Sequence, residues 1–146
     1  MHGTTTKGVV PARYWHLEKD GRIQCDLCPR HCRLRDGQRA FCFVRERKGD
    51  RLILNTYGRS TGFCIDPIEK KPLFHFLPGT KAFSLATAGC NMECRFCQNW
   101  RIAQFRPEQV RSHDLPPDRV AALARGRGDT TIAYTYTEPV VFAEYV

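Results

Sequence analysis

The sequence predicts an α/β chain. A small cysteine-rich β-hairpin region over residues 1–80 precedes the first two βα units of a parallel domain over residues 81–146. Short strand-like runs joined by turn residues fill the first region, which indicates β-hairpins. Its clustered cysteines occupy a polar stretch of the kind that a bound metal orders. From residue 81 onward apolar strand runs alternate with helical patterns, the order from which parallel sheets are built.

Two β-hairpins are predicted in the first region. One pairs residues 13–17 with residues 22–25 across Asp20-Gly21, and Asp-Gly is a strong hairpin turn signal. The other pairs residues 43–46 with residues 51–55 through a four-residue connection that contains Gly-Asp. Both runs carry the β-branched and apolar residues that strands favour.

The remaining segments of the first region are less regular. Residues 1–12 are predicted to be a flexible lead, and residues 25–42 a loop that lacks apolar periodicity. Residues 59–65 are predicted to form a further strand. Prolines then bracket a connector that ends at Pro78-Gly79.

The second region reads as strand, loop, helix, strand, helix. Prolines are expected at the first turn of a helix, where a missing N–H does no harm, and an acid there suits the helix dipole. The predicted elements are a strand over 81–88, a short helix over 98–104, a linker over 107–117, a helix over 117–125, a turn over 125–129, a strand over 130–135 and a helix opening at Glu138-Pro139.

Composition bounds the class of protein. Apolar residues make up 42% and charged residues 26% of the 146 positions, which is typical of a soluble globular chain. No apolar run approaches the roughly 18 residues of a membrane span, and the first residues lack a secretory signal, so a cytoplasmic location is expected. Eight cysteines in a reducing compartment favour metal over disulfides. The net charge of +8 suits an anionic partner, but the arginines are scattered and nucleic-acid binding is not favoured.

Three cysteines carry the strongest chemical signal. Cys90, Cys94 and Cys97 have the spacing C-x3-C-x2-C, with Phe96 before the last of them. Three close thiolates can hold three irons of a 4Fe-4S cluster and leave the fourth iron open for a ligand. Disulfides would leave one cysteine unpaired, and structural zinc normally takes four protein ligands, although a zinc site remains an alternative.

A second group of cysteines, which we call the four-cysteine cluster, lies in the first region. Four ligands suit a closed site, either structural zinc or a second iron–sulfur cluster that relays electrons, and reduced thiols are the third alternative. His31 is expected to lie outside the ligand set. The spacing is C-x2-C-x3-C-x9-C, formed by Cys25, Cys28, Cys32 and Cys42.

The triad and its surroundings resemble the radical S-adenosylmethionine (radical SAM) enzymes. Three further blocks narrow the resemblance to the radical SAM member of the AmmeMemoRadiSam system, which is similar to pyruvate formate-lyase activating enzymes. These blocks are Asp-Pro-Ile-Glu-Lys-Lys-Pro-Leu-Phe-His-Phe (66–76), Cys-Gln-Asn-Trp (97–100) and Thr-Tyr-Thr-Glu-Pro (135–139).

The resemblance implies a partial (β/α)6 barrel with a 4Fe-4S cluster and S-adenosylmethionine (SAM) as cofactors. Phe96 would pack beside the adenine of SAM, with a core aromatic as the alternative. Glu138 would contact the SAM amino group, although this chain lacks the Gly-Gly-Glu motif of many relatives. The alternative for Glu138 is a helix N-terminal acid. No catalytic side chain is assigned.

The implied reaction is reductive cleavage of SAM to a 5′-deoxyadenosyl radical, which abstracts hydrogen from an unidentified substrate. An electron donor such as ferredoxin or flavodoxin would be needed, and Memo-like and AMMECR1-like proteins are implied as partners. Residues 81–146 offer room for about two units at ~30 residues each, so the chain is expected to be the N-terminal portion of a longer enzyme. The rival function is a non-catalytic iron–sulfur or zinc module for electron transfer or protein contact.

Several other residues are given structural roles. Cys64 is expected to be a small buried hydrophobe. His75 is expected to be packed, with a substrate path as the alternative. Phe74, Phe76 and Trp100 are predicted to lie in the core.

Overall fold

A computed structural model describes residues 7–128 and 131–146. Three short 3-10 helices occur among these residues, at Ile68–Lys70, Pro107–Gln109 and Pro139–Phe142. In chain order the other elements are β1 (Val10–Pro11), β2 (Trp15–Leu17), β3 (Ile23–Cys25), β4 (Arg33–Leu34), β5 (Arg45–Lys48), β6 (Arg51–Leu54), β7 (Arg59–Ser60), β8 (Gly62–Pro67), β9 (Lys81–Ala86), α1 (Trp100–Ala103), β10 (His113–Asp114), α2 (Pro117–Gly126) and β11 (Thr131–Tyr134).

Both predicted hairpins are present. β2 pairs antiparallel with β3, and Gly21 has a positive φ of 79° in the turn between them. β5 pairs antiparallel with β6 from Arg45↔Leu54 to Lys48↔Arg51. The second hairpin is tighter than predicted, because β5 runs on to Lys48 and leaves a two-residue turn.

Irregular segments contain more structure than the sequence predicted. β1 lies in the predicted flexible lead and pairs with β6, while residues 1–6 of that lead fall outside the described residues. β4 adds a strand to β3 inside the cysteine loop. The predicted linker 107–117 contains a 3-10 helix and β10, which pairs with β7. The predicted strand 59–65 is divided between β7 and β8.

The second region is built on a parallel strand pair. β9 and β11 pair in parallel from Ala82↔Thr131 to Leu85↔Tyr134, and β8 completes the sheet on the other side of β9 in antiparallel orientation. α1 and α2 lie in the crossover, as the strand–helix pattern predicted. Asp129 and Thr130, the predicted end of the turn and start of the strand, lie outside the described residues. The described residues contain two parallel strands, and the (β/α)6 barrel stays a prediction.

The two faces of the β8–β9–β11 sheet differ in character, because side chains alternate along a strand. Phe83 and Leu85 of β9 are fully buried in the hydrophobic core. The alternate positions of β9 carry the small residues Ala82, Ser84 and Ala86. This second face is polar on the neighbouring strand, where Cys64 and Asp66 of β8 lie opposite Ser84 and Ala82.

One continuous core joins the two regions. The buried cluster includes Ile23 and Leu52 from the first region and Phe83, Val120 and Phe142 from the second. Burial of such large apolar side chains is the main stabilising contribution to the fold. The cysteine-rich region therefore packs directly on the start of the parallel sheet.

A buried ion pair also crosses between the regions. Arg45 on β5 donates from Nη2 to both carboxylate oxygens of Glu144 at 2.7 and 2.6 Å, and the two side chains are only 1% and 5% exposed. Arg45 also donates to the carbonyl oxygens of Val141 and Arg13. The C-terminal segment is thus held on the β5–β6 hairpin.

None of the helices in the described ranges is long and apolar enough to cross a membrane.

Candidate functional site

The triad lies on a loop at the carboxyl end of β9. We call residues 87–99, between β9 and α1, the triad loop. Cys90 is buried, Cys97 is partly buried and Cys94 is exposed. The N–H of Cys97 donates to the carbonyl oxygen of Cys94 at 3.2 Å, which closes a tight turn around the last two thiols. In parallel α/β sheets this edge is where ligands bind.

The triad loop meets the loop that follows β11. Thr137 Oγ1 donates to the carbonyl oxygen of Thr87 at 3.2 Å, and Asn99 Nδ2 donates to the carbonyl oxygen of Tyr136 at 3.0 Å. Tyr136 is held at a positive φ of 68°. Two of the three sequence blocks that narrow the family resemblance are therefore hydrogen-bonded to each other at one sheet edge. These are Cys-Gln-Asn-Trp and Thr-Tyr-Thr-Glu-Pro.

Phe96 and Glu138 differ in their surroundings. The Phe96 side chain is 90% exposed, so the core-aromatic alternative for this residue is wrong. One carboxylate oxygen of Glu138 accepts the N–H of Val140 at 3.2 Å, which is the helix-cap alternative. The cap uses only one of the two carboxylate oxygens. Glu138 comes directly after Thr137, at the sheet edge where the two loops meet.

The four-cysteine cluster surrounds a small cavity. All four thiols line a space of about 10 Å³, together with Arg30, Arg45 and Asn91. Burial raises the pKa of Cys25, and it raises the pKa of Cys42 to about 11, although backbone N–H groups of Val44 and Arg45 directed at the Cys42 sulfur oppose that rise. The topology therefore brings these cysteines to one place, from β3, the following loop and the turn before β5.

The thiols of neither cysteine group are drawn together as metal ligands are. Within residues 7–128 and 131–146, no three Cys, His, Asp or Glu side chains are close enough to hold a metal ion as they stand. The number and type of the cysteine ligands nevertheless suit the predicted groups, which are a 4Fe-4S cluster at the triad and zinc or a second iron–sulfur cluster at the four-cysteine cluster. The triad offers three thiols on one short loop, and the four-cysteine cluster offers four around one cavity.

A charged cluster at Asp66 was not predicted from the sequence. Asp66 is 2% exposed and accepts from Lys70 Nζ at 2.7 Å, Lys71 Nζ at 2.5 Å and the Tyr136 hydroxyl at 2.9 Å. Burial alone would raise the pKa of the Asp66 carboxyl, but these hydrogen bonds outweigh it and hold the pKa well below its usual range. The lysines come from the Asp-Pro-Ile-Glu-Lys-Lys block, for which the sequence alone indicated no role.

An open groove lies beside this cluster. It has a volume of about 260 Å³ and is lined by residues that include Cys64 on β8, Ala86 at the end of β9, Asn99 and Tyr136. The groove therefore borders both the triad loop and the small-residue face of the sheet. Concave spaces at this edge of an α/β sheet are the usual position for a small ligand.

The Asp66 cluster leads to a prediction of pH dependence. A carboxyl whose pKa is lowered by folding stabilises the protein above its unfolded pKa of about 4, and that contribution is lost as the pH falls further. In Asp66→Asn, the free energy of unfolding is therefore expected to fall less steeply between about pH 5 and pH 3 than in the wild type. Urea unfolding followed by tryptophan fluorescence at several pH values measures the slope. Asp50→Asn, which alters a carboxylate 90% exposed, is the control and keeps the wild-type slope; an unchanged slope in Asp66→Asn would contradict the prediction.

Five buried-residue predictions are wrong. His75, which was expected to be packed, is exposed. Cys64 is exposed, and its Sγ lies 3.6 Å from Asp66 Oδ1 instead of packing in the core. Phe74, Phe76 and Trp100 are 62%, 52% and 51% exposed. Each lies on a loop or short helix rather than on a core-facing strand, so local hydrophobicity misled the prediction.

Comparison with known proteins gives one informative relative. The chain is 42% identical over 135 residues to an uncharacterized protein of Methanocaldococcus jannaschii, a match that covers 92% of this chain. The chain spans 40% of the length of that relative. No family profile matches the chain, and no solved structure does so.

Proposed function

We propose that the chain is a radical SAM enzyme, or part of one, of the pyruvate formate-lyase activating enzyme-like type. The cluster ligands would be Cys90, Cys94 and Cys97. The observation that carries the proposal is the position of the triad loop, which leaves the carboxyl end of a parallel strand and is hydrogen-bonded to the Thr-Tyr-Thr-Glu-Pro loop. The AmmeMemoRadiSam resemblance is the narrower part of the same proposal.

The residues of this chain would bind and position the cofactors. Bound 4Fe-4S cluster and SAM would together supply a 5′-deoxyadenosyl radical for hydrogen abstraction. Phe96 is exposed on the triad loop, where its ring is available to a ligand. Glu138 has one carboxylate oxygen beyond its capping bond, and a carboxylate binds an ammonium group well.

The strand end of the small-residue face supports a ligand-binding role for this side of the molecule. The open groove reaches this face at Ala86, the last residue of β9, whereas Ala82 and Ser84 are fully buried. On the opposite face Phe83 and Leu85 are used for the core. In a barrel, this division corresponds to an interior that faces ligands and an exterior that faces helices.

An external electron donor is part of the proposal. A net charge of +8 favours association with an anionic protein, as a ferredoxin-like or flavodoxin-like donor would be. Memo-like and AMMECR1-like proteins are proposed partners through the resemblance alone, and the substrate is not specified.

The deciding experiment is electron paramagnetic resonance (EPR) of the anaerobically reconstituted, dithionite-reduced chain, before and after addition of SAM. The expected result is a reduced 4Fe-4S signal that changes with SAM and is lost in Cys94→Ala. Cys64→Ala is the matched control, because Cys64 is an exposed cysteine outside both groups, and it should keep the signal.

The other outcomes separate the rival function. An iron signal that does not respond to SAM, with no 5′-deoxyadenosine formed, would favour the non-catalytic electron-transfer module. A signal that survives in Cys94→Ala would place the iron outside the triad and contradict the proposal.

A further inference from the structure

We propose that the four-cysteine cluster binds a single divalent metal ion of the zinc type, and that this metal site supports the triad loop. The first part is independent of the proposed radical chemistry, because it concerns a separate group of ligands. The second part concerns how the two cysteine groups contact one another.

The enclosure of the four cysteines favours one ion over a cluster. All four line one small cavity, and Cys25 and Cys42 are buried in the core beside it. Four thiols around one closed space provide the full ligand set of a single tetrahedral ion. Closed tetrahedral sites with four cysteines are typical of structural zinc.

The surroundings of the cavity suit a negatively charged tetrathiolate. The N–H of Phe41 donates to the sulfur of Cys32 at 3.5 Å. A backbone donor of this kind stabilises a coordinated thiolate and orients it.

Metal binding would replace the thiol protons and bring the sulfurs closer than they stand here. Zinc binds thiolates at about 2.3 Å, and the ion that replaces four protons also supplies the folding energy of the loop. Between β3 and β5 the regular structure is limited to the two-residue strand β4 and an isolated bridge between Arg39 and Glu46, so a metal has a structural role there.

The triad loop rests directly on the four-cysteine cluster. A Cβ placed on Gly89 would lie 2.2 Å from the carbonyl oxygen of Cys42, so the two backbones are in close contact. Arg30 Nε donates to the carbonyl oxygen of Asn91 at 2.9 Å, and the Arg30 guanidinium lies 3.4 Å from the centre of the Phe41 ring.

Asn91 adds a second point of contact from the triad loop. Asn91 lines the cavity of the four-cysteine cluster, and its Oδ1 is buried with no hydrogen-bond partner among the described residues. A buried acceptor without a partner is costly, and it indicates a missing donor nearby. Because Asn91 follows Cys90 directly and lines the cavity, ordering the cysteine loop around a metal would fix the backbone beside Cys90.

The first test is metal content. The full chain, purified after expression with zinc, is analysed by elemental mass spectrometry, and cobalt(II) is used as a spectroscopic probe of tetrahedral thiolate coordination. About one zinc per chain is expected, lost in Cys28→Ser and retained in Cys94→Ser. Absence of zinc, or iron that remains in Cys94→Ser and disappears in Cys28→Ser, would overturn the single-ion site. If the wild-type chain binds zinc but gives no 4Fe-4S EPR signal, the proposed function fails and the zinc site stands.

The second test is amide hydrogen exchange of the triad loop. Removal of zinc by a chelator is expected to speed exchange in residues 89–98, because local opening follows loss of the contacts beneath the loop. Arg30→Ala, which can keep the four ligands and the metal, should speed exchange in the same segment without loss of zinc. Exchange that stays unchanged after zinc removal would overturn the supporting role.

Discussion

Glu144→Gln is expected to lower the free energy of unfolding by about 3–5 kcal/mol, one of the two largest effects predicted for this chain. The substitution keeps the shape of the side chain but leaves the Arg45 guanidinium, 1% exposed, without its counter-charge. When a buried charge loses its partner, the free-energy cost of its desolvation is no longer offset by the attraction between the two charges. Glu144 also accepts the N–H of Arg13 at 2.6 Å, so the carboxylate holds two segments at once.

The matched control is Glu108→Gln. Glu108 also accepts two hydrogen bonds from an arginine, Arg39 Nη1 at 2.7 and 2.8 Å, but its side chain is 52% exposed. Surface pairs of this kind contribute about 0–1 kcal/mol, so the same chemical change should cost little. Urea unfolding of both variants at neutral pH measures the difference. A similar fall in the free energy of unfolding in both variants would mean that burial does not determine how much the Arg45–Glu144 pair contributes to stability.

Gly89→Ala is expected to be the second large effect, costing about 1–3 kcal/mol more than Gly21→Ala. Both glycines have a positive φ, 81° and 79°, so alanine meets the same backbone strain at each. They differ only in their surroundings. At Gly89 the new methyl group would lie 2.2 Å from the Cys42 carbonyl oxygen and 2.5 Å from Val44 Cγ1, whereas at Gly21 nothing lies within 4 Å.

The excess cost at Gly89 comes from moving backbone rather than a flexible side chain. The Cys42 carbonyl belongs to the segment that leads into β5, which is paired with β6, so it cannot retreat freely. Thermal or urea unfolding of the two variants gives the comparison. Equal destabilisation would show that the triad loop and the four-cysteine cluster are not in close contact in solution.

The exposed apolar side chains of the triad loop distinguish it from the rest of the site. Met92 is 52% exposed and Phe96 is 90% exposed, while the loop backbone is fixed by hydrogen bonds from Gln104 and Thr137. A fixed backbone that presents apolar side chains to solvent suits contact with a ligand or a further part of a fold. This arrangement agrees with the proposed cofactor-binding role and does not depend on the choice of substrate.

The confirmed predictions concern elements whose residues are close together in the chain. The Asp20-Gly21 turn, the helix with Pro117 in its first turn, and the apolar run of β9 follow from turn chemistry, capping and periodicity over a few residues. The two cysteine groups could also be listed from spacing alone. The close contact between the two groups could not be predicted from spacing, because Gly89 and Cys42 are far apart in the chain.

The errors share one physical cause, which is that short segments take their structure from distant partners. β1 and β10 are two-residue strands that exist only because β6 and β7 offer free edges to them. Phe74 and Phe76 are apolar enough for a core, yet no element carries them there. Intrinsic preference is weak in such segments, and tertiary context decides them.

Most local elements, the two cysteine groups and the chemistry that their spacing favours could be predicted from the amino-acid sequence, because these depend on residues close together in the chain. Three contacts could not: the buried Arg45–Glu144 pair, the Asp66–Tyr136 bond and the contact of Gly89 with Cys42. Each of these joins residues separated by tens of positions, and such contacts form only when burial of one common core brings the two regions together.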